Sequence, residues 1–215
     1  MHRLMLTSNA YRQSAENPQA VKFSPIDPDN ALLWRMNWQR LEAEVLRDSI
    51  LQVSGRLKSA RGGPGIFLDI PADMAEGFEF FKWFPSDENE QLRRMIYTFQ
   101  RRSVMMPLVE VFDGANMNES CSRRNVTTVP TQAFTLLNSE FSNREARHFA
   151  ERVIALAGPN PAKQVERAFL LALCRQPAED ERQKAFDILG GLPAKEALAR
   201  LGVVLFNLNE FAYVN

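Results

Sequence analysis

Four arginines, Arg101, Arg102, Arg123 and Arg124, flank a polar loop within the stretch Tyr97–Asn138. Guanidinium forks hold carboxylate, sulfate or phosphate bidentately, so their convergence would make an anion-binding site. The competing use of those charges is structural pairing with Glu110, Asp113 or Glu119 in the same stretch. Asp113 and Glu119 have the chemistry of a glycosidase couple, one acid and one base or nucleophile at roughly 5–10 Å. Their spacing along a loop permits that separation without requiring it, and Asp113-Gly114 also reads as a simple turn. Cys121 lies between Glu119 and the Arg123-Arg124 doublet, and nearby cations favour a thiolate. A nucleophilic cysteine needs a base, and His148 is the one the sequence offers. Gln132 and Asn138 are backbone-satisfying amides in one reading and ligand-reaching groups in the other.

Other chemistries find less support. With two histidines, His2 and His148, and two cysteines, Cys121 and Cys174, the chain lacks a zinc set of the usual spacing, and no metal is expected. No Cys-x-x-Cys-His occurs, so no haem cofactor is expected to attach covalently to this chain. Lys plus Arg and Asp plus Glu both number 26, giving a formal net charge of zero. A nucleic-acid partner is therefore not expected, since phosphate neutralisation needs a basic excess.

Charge is uneven locally. Residues 69–90 carry seven acids against Lys82, and residues 93–124 carry three arginine doublets. Mutual pairing of these neighbouring blocks is the simplest expectation. No apolar run approaches the roughly 20 residues a membrane-spanning helix needs. The opening MHRLMLTSNAYRQ has no signal-peptide pattern, which taken literally describes a cytoplasmic chain.

The elements that would position these groups are mainly α. The chain reads as one domain, 1–215, with a helical lead-in over 1–60, a loop-rich centre over 61–127 holding one or two short strands, and a helical bundle over 128–215. A helix is expected over residues 1–13, with Met1, Leu4, Met5 and Tyr11 on one face. A longer one is expected over about 31–57, capped by Asp29 or Asn30, with Leu41, Val45, Leu46, Ile50, Val53 and Leu57 inward and Arg40, Glu42, Glu44, Arg47 and Asp48 on a solvated side.

In the centre, Ile66–Ile70 suggests a strand. Met95–Phe99 and Val104–Phe112 fit strand or helix equally, and Phe78, Phe80, Phe81, Trp83 and Phe84 suggest aromatic core packing. Beyond Thr128 five helices are expected. Thr128 caps the first, Ser142 or Asn143 the second, and Pro161, Pro177 and Pro193 open the others; Gly158 and Gly190-Gly191 close the second and fourth.

Four phrases carry a resemblance over nearly the whole chain: LTSNAYRQS, DPDNALLWRMNWQRLEAEVLRDSIL, RRSV…PLVEVFD…ESCSRRNVTTVPTQAFTLLN, and LFNLNEFAYVN. In that order they resemble the C-terminal domain of unknown function of the planctomycete-type cytochrome-c-associated secreted proteins. The resemblance implies an extracytoplasmic or periplasmic location, partner domains upstream that usually include a c-type haem domain, and a polysaccharide-utilisation setting. It supplies no catalytic residues. This chain departs from the pattern by carrying none of the upstream domains, so Met1 reads as an internal codon, a gene-calling error or a fragment boundary.

Two functions follow as expectations. One is a binding or assembly domain with an anion site at residues 97–138, taking an anionic glycan or small anion. The alternative is an enzyme domain acting on polysaccharide, sulfated or not, with Asp113 or Glu119 as catalytic carboxylate.

Overall fold

The computed structural model describes residues 1–71, 74 and 82–214, and these are mainly α-helical, as the sequence implies. They fall into two compact units: Met1–Leu41 with Ala212–Asn215, and Glu42–Phe211.

In the first unit, α1 is His2–Leu6, α2 is Ala20–Phe23, and β1, Gln39–Arg40, pairs antiparallel with β2, Tyr213–Val214. The ladder is extended by the Leu41 N–H, which donates to the Ala212 carbonyl at 2.8 Å. The helix expected over 1–13 stops at Leu6. The Thr7 and Ser8 hydroxyls donate to the Arg3 and Met5 carbonyls, and the Ser8 oxygen takes the Tyr11 N–H. No residue of α1 is buried, so its apolar side chains have no packing to extend it.

The helix expected over 31–57 fails in its first part for a related reason. The Asp27 carboxylate accepts the Ala31 and Leu32 N–H groups at 2.9 and 2.8 Å, and the Asn30 side chain accepts that of Arg35. Those donors are taken from the helical ladder, and Asn30 and Leu33 adopt positive φ. Asp27, rather than Asp29 or Asn30, thus organises this turn.

The second unit begins with α3, Ala43–Ser54, whose Leu46, Ile50 and Leu51 are fully buried. Gly55 ends it in the left-handed region at φ 81°, as the sequence suggests. Arg152 seals that end by donating to the Gln52 and Val53 carbonyls at 2.8 Å each. The centre holds α4 (Glu88–Gln91), a 3-10 turn (Met95–Tyr97) and α5 (Pro107–Val111). Ile66–Ile70 makes only an isolated parallel bridge, Ile66 to Thr98, so the regular two-stranded ladder lies at 39–40 and 213–214 instead. Phe78, Phe80 and Phe81 lie outside the described residues. Trp83 is buried against Phe67, and its indole N–H donates to the Leu68 carbonyl, while Phe84 is exposed.

The five C-terminal helices form as expected: α6 (Pro130–Asn138), α7 (Glu140–Ala157), α8 (Pro161–Leu173), α9 (Glu179–Leu189) and α10 (Ala194–Phe206), followed by the short α11 (Asn209–Ala212). Two caps differ from expectation. Val129 holds the N-cap of α6 in place of Thr128. Ser139 caps α7 by accepting the Ser142 N–H, so that helix starts earlier than Ser142 or Asn143 would allow.

The inward stripe Ala146, Phe149, Ala150 and Val153 of α7 meets Leu198, Leu201, Leu205 and Phe206 of α10. Each large side chain buried there contributes roughly 1.5–3 kcal/mol. Gly202 lets the two helices close up: a Cβ there would lie 3.0 Å from Phe149 Cδ1 and 3.4 Å from Ala146 Cβ.

Candidate functional site

All groups in this section belong to the second unit. Helix α5 ends in a turn at Asp113, which adopts φ 56°, and the chain returns to the start of α6 at Thr127. The Asp113 carboxylate accepts the Thr127 N–H at 2.8 Å and its hydroxyl at 2.9 Å. This closes residues 113–127 into a compact surface loop whose ends touch, the geometry of an Ω-loop.

Gln132 braces the same neck from α6. It is buried, and its Nε2 donates to the Val111 carbonyl at 3.1 Å and the Thr127 carbonyl at 3.2 Å. Asn118 folds the loop back, donating to the Arg102 carbonyl at 3.3 Å, while Asn116 accepts the Asn118 N–H.

The four arginines meet different fates. Arg124 is anchored bidentately to Glu44 of α3, at 2.8 and 2.9 Å, with Glu42 at 3.7 Å. The Arg124 guanidinium holds the Glu44 carboxyl below the usual carboxylate range, and Glu44 in turn raises Arg124. Arg101 is half-buried, and its carbonyl accepts the Val104 N–H in an antiparallel bridge. Arg102 and Arg123 are exposed. An inward convergence of all four guanidinium groups is therefore not what the burial describes; one is a strut and two are displayed.

Asp113 is the clamp of the loop, whereas Glu119 is exposed near its tip. Cys121 is exposed and free, as is Cys174. His148 sits on α7 with Nδ1 3.3 Å from a Glu151 oxygen. Asn138 is exposed and donates to the Phe134 carbonyl one turn back.

Sequence reasoning missed a buried charged network. Glu145 on α7 is fully buried; it accepts from Arg56 at 3.2 Å, Ser54 at 3.0 Å and Arg144 at 3.4 Å. Arg56 also pairs with Glu88, whose carboxyl it holds low. Arg47, expected on a solvated face, is buried; it donates to the Arg93 and Gln91 carbonyls, and burial pushes it down to about 10. Asp48 accepts the Met95 N–H at 2.8 Å and Arg94 at 3.3 Å.

The charged face of α3 is therefore largely engaged by the 86–98 segment, by Arg124 and by α7, in place of the solvated side expected for it. The acidic and basic blocks of the centre meet at Glu90 with Arg93, whereas Asp69 reaches Arg144 of α7, outside the basic block. Asp73, Glu76 and Glu79 lie outside the described residues. No cluster of three or more His, Cys, Asp or Glu poised to hold a metal occurs among the described residues. No helix among them is long and apolar enough to cross a membrane.

A family model described as PSD1, protein of unknown function (DUF1553), matches residues 1–189. No curated protein and no solved structure matches the chain.

Proposed function

This chain belongs to the DUF1553 family of proteins of unknown function, and we propose that it serves as a binding or assembly domain for anionic glycans. One observation carries this reading. The 113–127 loop is tied at its neck and anchored through Arg124, while Arg123 on the loop and Arg102 outside it are exposed. Preorganised cations lose less entropy on binding than mobile ones, and guanidinium suits sulfate and carboxylate oxygens. Asp113 is committed to holding the loop, which favours display over turnover as its task.

The sequence resemblance supports a secreted setting beside a c-type cytochrome domain. The residues of this chain do not themselves fit covalent haem: both cysteines are exposed and free, and no Cys-x-x-Cys-His motif is present. No electron-transfer step is assigned to it.

The test is calorimetric titration with dextran sulfate, with neutral dextran as control. Dextran sulfate binds and dextran does not, affinity falls as salt rises, and Arg102→Ala/Arg123→Ala weakens it roughly tenfold or more at unchanged thermal midpoint. Equal binding of both polymers, or a double variant as tight as the parent chain, overturns the reading.

A further inference from the structure

A groove of about 530 Å³ runs between α7 and α10. Its aliphatic part comes from Ala199, Val203 and Pro193, and its charged part from Arg147, Lys195 and Arg200. The cations are not equivalent. Lys195 is held by Glu151 at 2.6 Å, and Arg200 by Glu196 at 3.0 Å one turn earlier. Glu151, one turn beyond Arg147 on α7, is engaged by Lys195 and lies 3.3 Å from His148. Arg147 itself is exposed and makes no hydrogen bond or ion pair among the described residues. Asn143, one turn before it, has its amide N–H groups committed to the Leu137 and Ser139 carbonyls. The groove thus carries one uncompensated positive charge, on a planar fork, beside an aliphatic wall.

We propose that this groove binds a carboxylate borne on an aliphatic body, with Arg147 holding the carboxylate and Val203 and Ala199 receiving the chain. Three observations select that class. The charge left over is single, which suits a monoanion. The wall has no aromatic side chain, so it offers no stacking platform for a sugar or base. The volume falls in the range of small-ligand sites. The site shares no residue with the 113–127 loop, so it stands whether or not that loop binds glycan.

Two sources supply this chemistry, a free short-chain acid and the C-terminus of a peptide ending in an aliphatic residue. Titration of the full ¹⁵N-labelled chain distinguishes them, using hexanoate, hexanol, and N-acetyl-Ala-Leu-Val as free acid and as amide. Hexanoate is expected to shift amide signals of residues 194–203 and 143–147, and hexanol to shift none. Arg147→Ala is expected to weaken hexanoate roughly tenfold, while Lys184→Ala, a surface cation paired elsewhere, leaves it unchanged. A free-acid peptide binding more tightly than hexanoate assigns the groove to peptide termini; equal or weaker binding assigns it to small acids. Equal shifts by hexanol, or an Arg147→Ala chain that binds as well as the parent at the same thermal midpoint, overturns the proposal.

Discussion

Glu145 is a fully buried carboxylate in the second unit. Its carboxylate has no exposure to water, and its stability depends on Arg56, Arg144 and Ser54 filling its acceptor sites. Removing one partner of a buried pair costs about 3–5 kcal/mol, because the other charge is left uncompensated. Glu145→Ala should therefore lower the unfolding free energy by that order, read as a reduced urea midpoint at unchanged m-value, and Glu145→Gln, which keeps an acceptor for Ser54, by less. A midpoint unmoved in Glu145→Ala would mean that Arg56 finds full compensation from Glu88 alone.

No local pattern marks this residue as buried. Glu145 adjoins Ala146 on a helix whose apolar stripe reads well, and a wheel assigns charges to solvent by default. Its partner Arg56 lies 89 positions away, beyond the reach of any local pattern. Arg102 and Arg123 were visible as cations, but nothing in their spacing separates a displayed guanidinium from one anchored like Arg124.

At the scale of elements, the start of α9 is tied down by charge. Arg175, just past the end of α8, donates bidentately to Glu181 at 2.7 Å and to Glu210 of α11 at 2.6 and 2.7 Å. Glu181 also accepts the Ala178 N–H at 2.7 Å. The Arg175 hydrogen bonds draw the Glu181 carboxyl from 4.5 down to about 2. A depressed folded-state value means the stabilisation is complete above the unfolded value of 4.5 and is lost as pH falls towards 2. The thermal midpoint should decline across that window, and Glu181→Gln should flatten part of the decline while lowering stability at neutral pH. Superimposable pH profiles for the two proteins would show that solvent screens the pair.

The helices from α6 to α10 were legible because each carries a faithful apolar period and a Pro, Asn, Ser or Gly at its boundary. The 31–42 segment was not. Its composition allows a helix, and only tertiary placement of the Asp27 and Asn30 side chains diverts its N–H groups into turns. The clamp at Asp113 and Thr127 was equally hidden, since fourteen positions separate its halves.

At the scale of the molecule, the second unit owns a continuous core spanning α3, α7, α8 and α10. Residues 42–211 expressed alone should give a helical circular-dichroism spectrum and one cooperative thermal transition. A broad, non-cooperative melt would show that this core is incomplete without the remaining residues.

The first unit has the opposite construction. Its β1 edge finds its partner in Tyr213–Val214, made after the entire second unit. At ribosomal speeds of 5–20 residues per second, roughly ten to thirty seconds separate the emergence of Arg40 from that of Tyr213. Throughout that delay the segment carrying β1 has an unmatched strand, and its Leu4, Met5 and Leu32 stay exposed even after folding. Such a segment is a natural client for a holding chaperone during translation, released once Tyr213 and Val214 have emerged to pair with it.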